Sequence, residues 1–115
     1  MKIYDIKRLL NAENLYGEDE LLDAEVNSAC ASDMMSDVLA FVKDQAVLIT
    51  GLCNPQVIRT AVMMDMVCVV IVRGKTPDES VLNLAKERKI VLLKSPYKMF
   101  QACGILYANG LKPGE

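Results

Sequence analysis

The stretch Met66-Val-Cys-Val-Val-Ile-Val-Arg-Gly-Lys-Thr-Pro77 decides the fold of this chain. An uninterrupted apolar run rich in β-branched residues is followed by a short polar loop, and then by a proline that can begin a helix. A continuous apolar run, in contrast to an alternating one, is typical of a strand in a sheet that is covered on both faces. The stretch therefore predicts a buried strand, a loop and a helix.

The same plan occurs in two further segments, residues 46–55 and 90–96. Each of the three loops ends in a residue that can cap a helix, followed by proline: Asn54-Pro55, Thr76-Pro77 and Ser95-Pro96. Asn, Thr and Ser accept hydrogen bonds from the first free amides of a helix, and proline suits the first helical position. Repeated strand–loop–helix units predict parallel strands joined by right-handed crossovers.

The first third of the chain has weaker patterns. They predict an amphipathic helix, two strands at residues 14–17 and 25–30 with an acidic loop at 17–20 between them, and a helix capped by Ser32 or Asp33. The apolar stripes of the two helices are Ile3, Ile6, Leu9 and Leu10, and then Met35, Val38, Leu39 and Val42. We expect one α/β domain over residues 1–115, with three layers: a mostly parallel sheet, built from βα repeats, between helices on both faces.

Composition narrows the class of protein. The chain has 115 residues, of which 52% are apolar, so it can bury a hydrophobic core. Its formal charge is −2, so it has no excess of basic residues with which to bind nucleic acid. No apolar stretch is long enough to span a bilayer, and no signal-peptide core begins the sequence. We therefore expect a cytoplasmic protein that binds neither membranes nor nucleic acid.

The chain contains no histidine, which removes the commonest general base and metal ligand. No two of its four cysteines have the spacing of a redox or zinc pair: Cys30, Cys53, Cys68 and Cys103. These absences predict a protein without catalytic residues, metal site or cofactor. The apolar helix at about 97–108, together with methionines that fall off the apolar stripes of the helices, predicts burial against a partner subunit.

The best candidate site lies where the parallel strands end, because ligands of open α/β sheets bind outside the carboxyl ends of the strands. The candidate ligand-binding residues combine glycines, polar caps and cations: Thr50, Gly51, Asn54, Arg59, Arg73, Gly74, Lys75 and Ser95. Helix N-termini and cations favour a small anion or a nucleotide. Ordinary βα turns with ordinary caps would give the same pattern, since neither glycine-rich phosphate-binding motif is present.

Cys53 offers a different chemistry. It precedes a predicted helix N-terminus, a position that lowers the pKa of a thiol. A thiol-based redox switch, or an enzyme centred on this cysteine, is therefore an alternative hypothesis. A half-buried loop cysteine without a special role is the plainer interpretation.

Several whole segments resemble one known family. They are Asp33-Met-Met-Ser-Asp-Val-Leu-Ala-Phe41, Leu48-Ile-Thr-Gly51, Asn54-Pro-Gln-Val-Ile-Arg-Thr-Ala61, residues 69–74, and Val91-Leu-Leu-Lys-Ser-Pro-Tyr97 with Phe100. The pattern is similar to the DRTGG domain family, whose name-giving letters are replaced here by Gly51-Leu52-Cys53 and Arg73-Gly74-Lys75. The resemblance implies a dimerising α/β domain, similar to the N-terminal domain of HPr kinase and found beside CBS domains in regulated pyrophosphatases. It also implies an iron-hydrogenase-related protein partner.

Three hypotheses of function follow. The first is a non-catalytic regulatory or scaffold domain, homodimeric, that senses a small anion or nucleotide. The second is a nucleotide-binding module, and the third is the thiol switch or enzyme at Cys53. The first is preferred because the sequence lacks histidine and any recognisable acid–base constellation.

Overall fold

Strands and helices alternate along the residues that the structure, a computed structural model, describes: 1–40 and 45–113. In chain order they are α1 (Ile3–Leu9), β1 (Glu13–Tyr16), α2 (Asp19–Leu22), β2 (Ser28–Ala31), α3 (Met35–Leu39), β3 (Ala46–Thr50), α4 (Pro55–Met63), β4 (Cys68–Ile71), α5 (Glu79–Arg88), β5 (Val91–Lys94) and α6 (Met99–Ala108). The acidic segment predicted as a loop, residues 17–20, includes the start of the short helix α2. Val42, the last residue of the predicted stripe on α3, lies outside the described residues.

The five strands form one sheet in the order β1-β5-β4-β3-β2. Strands β2, β3, β4 and β5 are parallel neighbours, and β1 joins the β5 edge antiparallel. The prediction of a mostly parallel sheet is therefore confirmed. Because the four parallel strands lie side by side in chain order, their carboxyl ends share one rim of the sheet, and the loops after them meet there.

Two hydrophobic clusters cover the two faces of the sheet. On one face Val47 and Ile49 of β3 pack in a cluster with Ile6 of α1, Leu22 of α2 and Leu106 of α6. On the other face Leu48 lies in a cluster with side chains from the three crossover helices: Val38, Val57 and Val81. Successive residues of a strand point to opposite faces, so a fully apolar strand supplies both clusters. The three-layer α/β architecture is thus confirmed.

Of the three helix caps predicted before a proline, one is correct. Asn54 caps α4, with its Oδ1 accepting a hydrogen bond from the Gln56 amide at 3.0 Å, and Pro55 is the first helical residue. The cap predicted at Thr76 is wrong, because α5 begins at Glu79 and Asp78 caps it. The Asp78 carboxylate accepts from two amides, those of Ser80 and Val81, which makes it the stronger cap.

The caps predicted at Ser95 and before α3 are also wrong. The N-cap of α6 is Lys98, and the Ser95 hydroxyl bonds elsewhere in the fold. The N-cap of α3 is Met34. Ser32 Oγ accepts from the Met34 amide at 2.9 Å in the turn before the helix, while the Asp33 side chain points to the loop after β3. Contacts between loops compete with capping in both places.

No helix among the described residues is long and apolar enough to cross a membrane.

Candidate functional site

The loops after β2, β3, β4 and β5 are bonded to one another in strand order along the rim. Asp33, after β2, accepts hydrogen bonds from the loop after β3. Lys75, after β4, donates to the Gly51 carbonyl of that same loop. The turn at Arg73 and Gly74 donates two backbone hydrogen bonds to the loop after β5. The rim is therefore a connected polar surface.

Asp33 is the centre of this surface. Its Oδ1 accepts from the Gly51 amide at 2.6 Å and from the Thr50 hydroxyl at 3.1 Å, and Oδ2 lies 3.8 Å from Nη2 of Arg73. Thr50 Oγ1 in turn accepts from the Leu52 amide at 3.1 Å. The carboxylate thus orders the β3 loop on one side and holds a guanidinium on the other.

Arg73 reaches this carboxylate from a strained backbone. Its φ is +63°, and that of Gly74 is +65°, so the two residues make a tight turn after β4. A non-glycine residue in the left-handed region costs about 1–2 kcal/mol. Backbone hydrogen bonds from Arg73 to the Tyr97 carbonyl, at 2.7 Å, and from Gly74 to the Ser95 carbonyl, at 2.8 Å, hold the turn in place. Strain of this kind is a recognised feature of functional sites.

Two lysines add charge to the rim. Lys75 Nζ donates to the Gly51 carbonyl at 3.0 Å, and Lys94 Nζ donates to Thr76 Oγ1 at 2.8 Å. An ammonium group has three donors, so each of these bonds leaves capacity for a further acceptor. Arg73 and Lys75 are exposed, whereas Lys94 is half-buried. A phosphate or carboxylate group is the kind of ligand that such a surface can accept.

The predicted site residues divide into three groups. Those on the rim with exposed or loop-facing groups are Thr50, Gly51, Arg73, Gly74 and Lys75. Asn54 also lies there, with its side chain bound as the α4 cap.

Ser95 and Arg59 are placed differently. The Ser95 hydroxyl is fully buried, donates to the Leu10 carbonyl at 2.8 Å and accepts from the Tyr97 amide at 3.2 Å, which ties α1 to the β5 loop. Arg59 lies on the outer surface of α4, in a groove with residues of α5. The structure therefore does not bring these two side chains together with the cations of the rim.

Cys53 is half-buried, with its Sγ 3.7 Å from the Gly51 carbonyl oxygen. Burial raises the pKa of this thiol, while the positive charges of Lys75 and Arg73 act in the opposite direction and only partly offset it. A raised pKa favours the neutral thiol, which is the less reactive form. The geometry thus gives no support to an activated nucleophile at this position.

Asp33 is the residue that the sequence analysis missed as part of the site. Its pattern matched a helix cap, a common role for Asp. The available signal was positional: Asp33 follows β2, which is parallel to the other strands and so ends at the same rim. Among the described residues no group of three or more His, Cys, Asp and Glu side chains is arranged to hold a metal ion.

Comparisons with known proteins agree with this fold. The sequence pattern of the DRTGG domain matches residues 5–108. A crystal structure of the CBS and DRTGG domains of the regulatory region of Clostridium perfringens pyrophosphatase, complexed with its activator diadenosine tetraphosphate, is similar with a TM-score of 0.71 and 18% identity. The match covers 89% of this chain and 44% of that one, so this chain spans less than half of its structural neighbour. No curated protein sequence matched. Since the family pattern spans nearly the whole length, the chain belongs to the DRTGG domain family.

Proposed function

We propose that this chain is a non-catalytic regulatory module that senses the phosphate groups of a nucleotide at the rim of the sheet. One observation carries the proposal: Arg73, on a strained turn, extends its guanidinium to an exposed carboxylate of a neighbouring loop. The similar regulatory region of a pyrophosphatase is complexed with a nucleotide activator, which supports the choice of ligand class.

A phosphate would compete with Asp33 for the Arg73 guanidinium. The Arg73–Asp33 pair is long, at 3.8 Å, and both side chains are about two-fifths exposed, so the pair itself contributes at most about 1 kcal/mol. Guanidinium binds phosphate bidentately, with stronger hydrogen bonds than such a loose pair makes. Lys75, held beside it on the Gly51 carbonyl, adds a second positive charge.

Displacing Asp33 would alter more than the binding surface. The same carboxylate binds the Gly51 amide, and the next residue, Met34, is the N-cap of α3 and is 61% exposed. Ligand binding is therefore coupled to the β2–α3 loop, whose exposed methionine can contact another protein. A regulatory domain needs this kind of link between a ligand site and a surface.

The test is a titration of the chain with ADP, ATP, diadenosine tetraphosphate and inorganic phosphate, followed by calorimetry and thermal unfolding. A ligand present at 100 times its Kd stabilises the native state by about 2.7 kcal/mol. We expect binding to be lost in Lys75→Ala and kept in Lys86→Ala, whose lysine lies in the last turn of α5, away from the rim. Absence of binding at millimolar ligand, or equal binding by both variants, would refute the proposal.

Catalysis is checked in the same samples. The proposal requires the nucleotide to be recovered unchanged after prolonged incubation, as measured by chromatography. Release of phosphate that depends on Lys75 would make the protein an enzyme instead.

The regulatory module is also proposed to be a homodimer, because α6 carries no charged residue and leaves aromatic side chains outside. Phe100 is 92% exposed and Tyr107 is 57% exposed. Exposed aromatic residues are enriched at protein interfaces. Light scattering should give a dimer that Phe100→Ser weakens and that Tyr4→Ser, at an aromatic residue of α1 that is 58% exposed, leaves intact. A monomer at about 100 μM would exclude the dimer.

A further inference from the structure

A groove that combines apolar and positively charged side chains lies away from the rim, on the outer surface of helices α4 and α5. It is a groove of about 260 Å³ between α4 and α5, with lining residues from both helices: Arg59, Val62, Met63, Leu84 and Arg88. Small-molecule sites usually have volumes of about 300–1,000 Å³. The groove is therefore better matched to one or two side chains of a protein than to a nucleotide.

The groove combines an apolar centre with positive charge. Met63 is 67% exposed, and Val62 and Leu84 are half-buried beside it. Arg59 and Arg88 are both exposed, and among the described residues neither guanidinium lies within ion-pair distance of a carboxylate. The chain as a whole is acidic, with a formal charge of −2. A groove that holds these two arginines therefore differs in charge from the rest of the protein.

Helical spacing puts this set of side chains on one surface. Arg59 and Met63 are one turn apart on α4, and Leu84 and Arg88 are one turn apart on α5. Each helix therefore offers one arginine and at least one apolar side chain to the space between them. An occupant with an apolar side chain flanked by carboxylates would complement the groove in both shape and charge.

We propose that the α4–α5 groove docks an acidic amphipathic segment of a partner protein. A Leu, Met or Phe of the partner packs on Met63, Val62 and Leu84, and its carboxylates pair with Arg59 and Arg88. Methionine adapts to different apolar partners, and arginine is among the residues that dominate interface energies. This groove is independent of the proposed anion site at the rim, because the two sites have no side chain in common.

The experiment is a selection of random peptides displayed on phage against the full chain, followed by affinity measurement of the selected peptides by fluorescence anisotropy. We expect the selected sequences to be enriched in Asp and Glu around one apolar residue. Arg88→Glu should weaken them at least tenfold, whereas Lys86→Glu, which makes the same charge change half a turn away on α5, should change affinity less than threefold.

A second matched pair tests the apolar contact. Met63→Ser should weaken the peptides about tenfold, and Tyr4→Ser, at an exposed large side chain on α1 and outside the groove, should not. Circular dichroism of all four variants checks that the fold is intact.

Several outcomes would overturn the proposal. They are the recovery of no binding peptide, selected peptides without acidic enrichment, and equal sensitivity to the two members of either pair. Binding of ADP or single-stranded RNA that Arg88→Glu abolishes would reassign the groove to nucleotides or nucleic acid. Self-association that Arg88→Glu abolishes would reassign it to a second copy of the chain.

Discussion

The guanidinium of Arg73 lies against Gly51, in the space that a side chain on residue 51 would occupy. A Cβ added to Gly51 would stand 2.7 Å from Cζ of Arg73 and closer still to Nη2. The guanidinium can therefore take this position only because residue 51 is a glycine. The same contact keeps the guanidinium near Asp33, so this glycine is coupled to the proposed anion site.

Gly51→Ala separates folding from ligand binding. The group that must move is the far end of a flexible side chain, and the φ of Gly51 is outside the left-handed region, so we expect the free energy of unfolding to change by less than about 1 kcal/mol. Displacing the guanidinium should weaken phosphate or nucleotide binding about tenfold, or 1.4 kcal/mol. Urea unfolding and calorimetry measure the two quantities.

Gly104→Ala is the matched control. Gly104 lies on the exposed side of α6, and nothing stands within 4 Å of an added Cβ. Replacing a glycine inside a helix by alanine should stabilise the chain by about 0.5–1 kcal/mol and leave anion binding unchanged. If both Gly51→Ala and Gly104→Ala lost anion binding, the loss could not be assigned to displacement of the Arg73 guanidinium.

Arg73→Gly tests the strained turn. Glycine adopts a φ of +63° without penalty, so the variant should be as stable as the natural chain or up to about 1 kcal/mol more stable. The same variant should lose anion binding, because the guanidinium is absent. Gain of stability with loss of binding is the expected signature, read from urea unfolding and calorimetry. Unchanged binding would contradict the role given to Arg73.

Two substitutions at Asp33 distinguish its structural and electrostatic roles. Asp33→Ala leaves the amide of the buried Gly51 without its acceptor and should cost about 1–3 kcal/mol of unfolding free energy. Asp33→Asn keeps an acceptor but removes the negative charge that competes for Arg73. It should bind phosphate more tightly than the natural chain at similar stability, whereas weaker binding by Asp33→Asn would contradict the competition.

The carboxyl group of Asp78 should make the stability of the chain depend on pH. The hydrogen bond from the Ser80 side chain, followed by that from the Val81 amide, lowers the pKa of this carboxyl. Because the pKa is lower in the folded chain, the unfolded chain binds more protons, and this contribution to stability is present above about pH 4 and lost as the pH falls through the folded pKa. Asp78→Asn keeps the cap without titrating. The difference in unfolding free energy between the two proteins should therefore change as the pH falls below about 4, and a constant difference would contradict the assignment.

The cysteines should differ in their reaction with iodoacetamide at pH 8. Burial strongly raises the pKa of Cys68, which is fully buried, and burial also raises the pKa values of Cys53 and Cys103. We expect Cys68 to react only on unfolding, and Cys53 and Cys103 to react more slowly than a free thiol. Mass spectrometry of peptides measures each rate. A rate at Cys53 above that of a free thiol would restore the redox hypothesis.

The central strands and their helices were predictable because the responsible signals are local. The continuous apolar runs of β3 and β4 supply both faces of the sheet, and the Asn54-Pro55 pair begins α4 through contacts within two residues. The short elements near the N-terminus were predictable as segments, but not in their pairing. No feature of the β1 sequence indicates that this strand pairs antiparallel with β5 at the edge of the sheet.

The sequence by itself determined the strand–loop–helix repeat, the parallel core of the sheet and the meeting of several loops at one rim. These features follow from the spacing of apolar residues and from the residues of the turns, which act over a few positions. Only the tertiary structure decided the roles of individual polar side chains on that rim. Ser95 binds the carbonyl of Leu10, 85 residues away, and Asp33 binds an amide 18 residues away instead of capping its own helix. A polar group takes the best partner that folding brings within about 3 Å, and that partner depends on packing that no local pattern contains.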